Sequence, residues 1–378
     1  MANEDKEKSP DAAQDQEQGR SKGKSKSRGK RRISKLKLIA ALLVLLLIVY
    51  VVVRLNLYLG SISKVHLSDE GLTHAKRFDN CIKVHGIDVS EFQDDINWKK
   101  VKSSEADFAF VRAAYRKSDT GELKEDEDFE DNIKGATKAG IMVGAYIYSQ
   151  ALTPEEAEEE AEFLIDLVKR YDIKMPLVID YELYKGGRLE QHINEGNLQA
   201  SSLYHDIVLA FCERVEKAGY ESLVYANYDM LTNYMDSELI GKEANIWAAQ
   251  YGGSCDVKGR YMYWQCAEDA KLSGIEGNVD HDIWYFEPGK VYTTKAKGKR
   301  KQTSIADCKI EFEEGAAKLS NNRAKPKVTV SFDGKKLKEG KHYELGFVKN
   351  TTAGAGYAIV RGIGKYKDWT SAAFKIEG

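Results

Sequence analysis

The chain has 378 residues, of which 42% are hydrophobic and 10% aromatic, a composition that excludes a disordered or collagen-like protein. The formal net charge of −2 conceals a segregation: residues 1–37 carry 12 Lys/Arg against 6 Asp/Glu, residues 81–287 carry 21 against 41, and residues 291–378 carry 19 against 9. So large an acidic segment excludes a nucleic-acid-binding protein as a whole, and five scattered cysteines without a CxxC pair exclude a zinc ribbon and a disulfide-stapled scaffold.

In chain order, residues 1–35 are rich in Lys, Ser, Gly, Gln and Glu and cannot bury a core, so they are expected to be a disordered basic tail. Leu38–Val53 is an unbroken apolar run, extended by Leu36 and by Leu55–Leu59 towards the ~20 residues that span a bilayer. The preceding segment is too long for the n-region of a cleaved signal peptide, and no small-x-small site follows Val53. Residues 36–59 are therefore expected to form one uncleaved transmembrane helix. Ten Lys/Arg between Arg20 and Lys37 place the N terminus in the cytoplasm and everything after about residue 60 outside the cell membrane. Beside such a span the basic cluster reads as a topology signal attracted to anionic lipid, not as a nucleic-acid site.

Residues 60–80 read as an extracellular linker. Over 81–287, strands are predicted at Lys83–Val89, Phe108–Ala114, Ile141–Tyr148, Leu177–Tyr181, Ser222–Ala226, Asn245–Ala249, Tyr261–Cys266 and His281–Trp284. Helices are predicted at Trp98–Ser103, at Phe129–Ala139 before Gly140, at Pro154–Tyr171 behind a Thr153 N-cap, and at Leu198–Ala218 before Gly219. This alternation predicts an α/β fold, a TIM-like β/α barrel that is irregular in its second half, where the strands lie too close for full helices. The run Glu155–Glu162 favours a helix N-terminus and otherwise sits in water. Residues 288–302 form a second linker, and 303–378 read as a small all-β sandwich of short alternating runs.

Chemistry in a barrel sits at the C-terminal ends of the strands. Four acids fall there: Asp88 in HGIDVSEFQ, Asp180 and Glu182 in PLVIDYE, and Asp280 in GNVDHDIWY. Asp180 and Glu182, two apart on a strand, project to one face. Paired carboxyls of this kind suit glycoside hydrolysis, in which one protonates the leaving oxygen while others stabilise an oxocarbenium-like transition state. Crowding raises the pKa of one member and keeps it protonated near neutrality. A D-x-E pair alone fits a metal site or a solvated strand end equally well; its place after an apolar strand favours catalysis.

These motifs, with FAFVRAAYR, Asp128–Phe129 and Asn132, AGIMVGAYIYS, IWAAQYGG and YWQC, resemble in order those of glycoside hydrolase family 25, the Chalaropsis-type lysozymes. The resemblance covers about residues 81–287 and implies an N-acetylmuramidase that cleaves the β-1,4 bond between N-acetylmuramic acid and N-acetylglucosamine in peptidoglycan. It implies Glu182 as the general acid, with Asp88, Asp180 and Asp280 in support. Ile147, Cys266 and Asp282 stand where the family commonly has His, Tyr and Asn. Either the substrate's 2-acetamido group, oriented by Asp180, or a second carboxylate serves as nucleophile or base.

For substrate binding, Tyr146, Tyr148, Tyr181, Trp247, Tyr251 and Trp264 offer flat faces with polar rims, and Gln93 and Gln265 offer hydrogen bonds to hydroxyls. Arg112 either holds a carboxylate in its charged form or makes an ordinary barrel salt bridge. No ligand-spaced His cluster or phosphate loop appears, so no metal and no cofactor are expected. Pairing of Cys255 with Cys266 is left open.

The C-terminal pattern, strongest at Tyr343, Asn350, Gly354–Tyr357, Gly362, Gly364 and Tyr366, resembles the bacterial Ig-like modules of Gram-positive surface proteins. Its positive charge either draws the enzyme to anionic wall polymers or accompanies a passive spacer. The whole reads as a membrane-tethered hydrolase of nearby wall, acting in remodelling or in assembly of an envelope machine. A non-catalytic peptidoglycan-binding protein and a glycosidase for another 2-acetamido polymer are the rival readings.

Overall fold

The computed structural model describes residues 42–54, 67–196, 201–293, 302–313, 315–320 and 323–378. Residues 42–54 form a helix (α1) with exposed apolar side chains. Among the described residues no helix is long and apolar enough to cross a membrane, and both ends of the expected 36–59 span, with the whole 1–35 tail, lie outside them.

From residue 61 onward the chain is one compact unit. Its centre is an eight-stranded barrel of β1 (Ile82–Val89), β2 (Phe108–Arg116), β4 (Met142–Ser149), β5 (Leu177–Tyr181), β6 (Ser222–Asn227), β7 (Ile246–Ala249), β8 (Tyr261–Ala270) and β9 (Val279–Phe286), while β3 (Leu123–Glu125) forms a hairpin on β2. Neighbours from β1 to β8 pair parallel; β9 is antiparallel to both β8 and β1 and closes the ring. The strands are those the sequence predicts, some of them longer. Helices α2 (Trp98–Ser103), α3 (Phe129–Ala139), α4 (Pro154–Val168), α5 (Arg188–Asn194), α6 (Ser201–Ala218) and α7 (Ser237–Glu243) complete the α/β alternation. Thr153 caps α4 by accepting from Glu156 N, and Pro154 occupies the first turn, where its missing N–H costs nothing. Helix α4 stops at Val168, short of the predicted Tyr171. Two short helices, α5 and α7, escaped the sequence reading because each offers barely two turns of apolar periodicity.

Alternation along each strand separates two cores. Outward residues such as Ile87, Ala109, Val143 and Ile179 pack under the helices. Inward residues Phe108, Phe110, Val178, Leu223, Trp247, Tyr263 and Trp284 fill the barrel. Phe110 stacks on Trp247 with centroids 4.6 Å apart. Rings of this size need glycine opposite: a Cβ on Gly86 would stand 2.5 Å from the Phe108 ring, and one on Gly144 2.6 Å from the Phe110 ring.

Two expected linkers are more than linkers. Residues 67–81 lie against the barrel: Leu67 and Phe78 are buried, and Phe78 stacks on Tyr285 at 3.6 Å. Among the described residues no α-helix follows β8 or β9, and this strap covers the outer face there. In the second, the Tyr292 and Trp369 rings stack at 3.7 Å and their backbones exchange hydrogen bonds; residues 294–301 lie outside the described ones.

The C-terminal region is all β. Its strands are β10 (Thr303–Ser304), β11 (Lys309–Phe312), β12 (Leu319–Ser320), β13 (Arg323–Ala324), β14 (Val328–Phe332), β15 (Lys335–Lys336), β16 (Tyr343–Val348), β17 (Gly354–Gly362), β18 (Tyr366–Lys367) and β19 (Trp369–Ile376). Sheets β11-β14-β15 and β16-β17-β19 share a small core around Val330, Tyr343 and Val360. On β17 the alternation splits roles: Val360 faces this core and Ala358 a second one with Phe374 and Ile376, while Ile359, with Val348 and Trp369, joins the interior of the barrel. Polar latches ring the junction. Arg361 donates to Lys174 O and to Glu221 Oε2, Trp369 Nε1 to Glu221, Lys349 N to Asp107 Oδ2, and Arg323 to Gly140 O. The region is thus the floor of the barrel, and neither a free tether nor a passive spacer.

Burial of Trp369 across this junction predicts that Trp369→Ala costs about 3–5 kcal/mol. Urea unfolding of the variant is expected to remain a single transition with a lower midpoint. Two separate transitions in the wild type would contradict a shared core.

Candidate active site

The C-terminal ends of the parallel strands open into a cleft of about 780 Å³. Leu177, Val178 and Ile179 of β5 have no exposure, and the strand delivers Asp180 between Tyr148 of β4 and Tyr225 of β6. Glu182 follows one residue past the strand end. Asp88, next to last on β1, pairs with Asp280 of β9, so two strands of opposite direction bring their acids to the same rim. All four predicted acids line one cleft with Gln93, Arg112, Tyr146, Tyr148, Trp247, Tyr251 and Gln265.

Burial dominates the electrostatics. Asp88 and Asp180 are 6% and 7% exposed, and desolvation, reinforced by their acidic neighbours, holds both well above the usual carboxylate range. Desolvation pushes Glu182 up to about 7 and Asp280 to about 6, against the opposing hydrogen bonds each receives. Arg112 draws Asp180 down by its charge, yet its hydrogen bonds go elsewhere, to Asp126 at 2.7 Å and Glu91 at 2.9 Å. It is at once a barrel salt bridge and a field source.

Fixed amides set the orientation. Gln265 Oε1 accepts from Tyr225 and Tyr251 at 2.9 and 2.8 Å, which turns its Nε2 to donate to Asp88 Oδ2 at 2.8 Å. Asn227 Oδ1 accepts from Met230 N at 2.9 Å, leaving its amide to donate to Glu182. Gln150, fully buried, holds the Glu182 carbonyl at 3.0 Å and donates to the Tyr148 hydroxyl. Asn227 and Gln150 were invisible as site residues because no motif chemistry marks a single amide; their only signal was position just past a predicted strand. Gln93 closes a capping box on Ser90 and so shapes the loop it lies in.

Two predicted residues are elsewhere. Tyr181 alternates away from Asp180 into the outer core, with no exposure and its hydroxyl donating to Ala151 O. Trp264 is likewise outward on β8, fully buried, donating to Gln250 O and meeting His74 edge to face. Both follow from the period of two, which sends the neighbour of an inward residue outward. Trp247 does reach the cleft, as its floor, with 1% exposure. The exposed stacking surfaces are instead Phe92, Tyr184 and Tyr251 at 76%, 56% and 44%, the first lying 4.8 Å from the Arg112 guanidinium carbon.

Among the described residues no cluster of His, Cys, Asp and Glu is arranged to hold a metal ion. None of the five cysteines, Cys255 and Cys266 included, forms a disulfide. A carboxyl pushed up to about 7, carboxyls beside it, and aromatic side chains lining the cleft together equip it for acid-assisted cleavage of a polymer of hydroxylated rings.

The model of the glycosyl hydrolases family 25 matches residues 87–275, half of the chain. The autolytic lysozyme of Clostridium acetobutylicum is 24% identical over 198 residues, which cover 52% of this chain and 54% of that protein. Lysozyme M1 of Streptomyces globisporus is 24% identical over 207 residues, 53% of this chain and 67% of its own. The modular autolysin LytC of Streptococcus pneumoniae superposes with a TM-score of 0.46 at 28% identity, covering 54% of this chain and 47% of that one. The chain thus spans about half the length of the Clostridium relative.

A raised native pKa means that the folded state binds the proton more tightly, so the stability tied to Glu182 is fully present below pH ~4.5 and is lost as pH rises through about 7. Glu182→Gln is therefore expected to raise the melting temperature at pH 8 by ~2 °C or more, with no gain at pH 4, in paired thermal melts. Asn227→Leu removes the amide that favours the charged form of Glu182. It should move the alkaline limb of activity upward, as read from a pH–rate profile.

Proposed function

The chain belongs to family 25 of the glycosyl hydrolases, and from that premise we propose that it is a lysozyme, an N-acetylmuramidase that hydrolyses the β-1,4 bond between N-acetylmuramic acid and N-acetylglucosamine in peptidoglycan. The observation that carries this reading is Glu182, a carboxyl pushed up to about 7, two residues from a second acid in the same cleft. Glu182 delivers its proton to the glycosidic oxygen as the bond to the anomeric carbon breaks. Asp180 Oδ1 has no hydrogen-bond partner among the described residues, which suits it to accept from a substrate amide N–H. It would thereby orient the 2-acetamido oxygen for attack on the anomeric carbon. Asp280, the most readily ionised of the four acids, offers negative charge to the oxocarbenium-like centre. Relatives named as lysozymes support the substrate class.

The apolar run 38–53 and the basic cluster before it support a single membrane anchor with the N terminus inside and the hydrolase on the wall side. Tethering confines cleavage to wall near the membrane, which suits remodelling or opening gaps for an envelope machine. The C-terminal β region, similar to bacterial Ig-like modules, presents Lys335, Lys336, Lys338 and Lys341 to solvent, a surface for anionic wall polymers.

Purified peptidoglycan digested by the full chain should release muramic-acid reducing ends, identified by product mass. Glu182→Gln should lower the rate by ~10²-fold or more. Turnover of chitin in place of peptidoglycan would reassign the substrate, and an inert wild type that still binds wall would make the chain a binding protein.

A further inference from the structure

Beneath the four acids of the cleft lies another carboxyl, Asp282, with no exposure to solvent. It projects inward from β9, two residues beyond Asp280 and opposite Gly86, and so lies diagonal to Asp88 across the β1–β9 pair. Trp247 Nε1 donates to its Oδ1 at 3.0 Å, and no nitrogen donor reaches its Oδ2 among the described residues. The Asp282 side chain is hydrogen-bonded to that of Asp88, and Asp88 is hydrogen-bonded in turn to Asp280. The three acids form a row with Asp88 at its centre.

Ionised carboxyls carry no donor, so carboxyls can hydrogen-bond each other only through a proton. Among the described residues no cation compensates the row. Asp180 faces it from β5 and Glu268 lies beyond Asp280, both adding negative charge. Tyr146 and Tyr225 contribute neutral hydroxyls, and Arg112 is already engaged by Asp126 and Glu91. His281 alternates to the opposite face of β9, where it meets His85 at 3.0 Å. The amide of Gln265 occupies Asp88 Oδ2, which leaves Asp88 Oδ1 towards its two acidic neighbours.

We propose that Asp282 is a positioning residue: Asp88, the central member of the row, carries the single proton and offers it to the carboxyls of Asp282 and Asp280 together, so that Asp88 enters the reaction as a hydrogen-bond donor and not as an anion. Asp280, receiving from Asp88, then remains the ionised acid at the rim. Burial and neighbouring charge push Asp88 and Asp282 well above the ordinary range and leave Asp280 at about 6, in keeping with this division. The substitution Asp282→Asn preserves shape but reverses the hydrogen bond. The new side chain keeps its oxygen on Trp247 and turns its amide N–H to Asp88, which becomes a carboxylate with two donors. Asp280 loses its donor and gains a charged neighbour, so its protonation moves to higher pH.

The sharing itself does not depend on the hydrolase reading; its effect on turnover rests on that reading. The test is carboxyl ¹³C NMR of the full chain labelled at aspartate, combined with pH profiles of kcat/KM on peptidoglycan, for wild type and Asp282→Asn. The wild type should keep a protonated carboxyl in the Asp88–Asp282 pair at pH 7. The variant should lose that signal, and the acid limb of its profile should move up by about one pH unit while the alkaline limb stays in place. Loss of activity without movement of the acid limb would overturn the positioning role. If the variant does not fold, the wild-type titration decides: both aspartates ionised by pH 5 overturns the sharing. A shared proton in a protein that turns over no peptidoglycan would leave the sharing intact and sink the hydrolase reading.

Discussion

Desolvation of carboxyl groups at the mouth of the barrel is the constraint on which the other features depend. Asp88, Asp180, Glu182, Asp280 and Asp282 are brought to one end of a closed sheet, where isolated charges are costly. The available response is to hold protons, and every resolved shift among these acids is upward. A site built this way is a store of acidity near neutrality. The amides of Gln265 and Asn227 oppose this at Asp88 and Glu182, because a donated hydrogen bond favours the charged form, but desolvation outweighs both.

The low-dielectric environment is made by the rest of the barrel. Phe108, Phe110, Trp247, Tyr263 and Trp284 fill the interior beneath the acids, and Gly86 and Gly144 clear room for the rings. This packing does not end at the strand termini, since Val348, Ile359 and Trp369 of the C-terminal region continue it. The β region therefore supports the site from below: it keeps water from the base of the barrel, while the strap at 67–81 covers the wall that lacks helices. Loss of either would be felt through the floor of the site, since interiors transmit strain.

Much of this was legible in the chain. Apolar runs ending in acids, as in PLVIDYE, disclose a strand and a site together, because a carboxyl after Leu-Val-Ile must be placed for a reason. Less legible was direction within a strand. Tyr181 and Trp264 look like cleft aromatics beside Asp180 and Gln265, yet each is the outward member of its pair. The exposed aromatics Phe92 and Tyr184 lie in a single 3-10 turn and in a loop, where no periodicity marks them. Supporting amides such as Asn227 and Gln150 carry no motif, and their roles exist only through partners distant in sequence.

What the amino-acid sequence determines by itself is local: the strand and helix order, the caps, the charge segregation and the four acids at strand ends, all set by residues within a few positions of one another. Closure of the ring by an antiparallel β9 was decided only in three dimensions, and with it the meeting of Asp88 with Asp280 and Asp282. So was the docking of a region that reads as a separate module onto the base of the barrel. The reason is that both depend on pairings between segments far apart in the chain, whose free energy comes from shared burial and leaves no periodic trace in either partner alone.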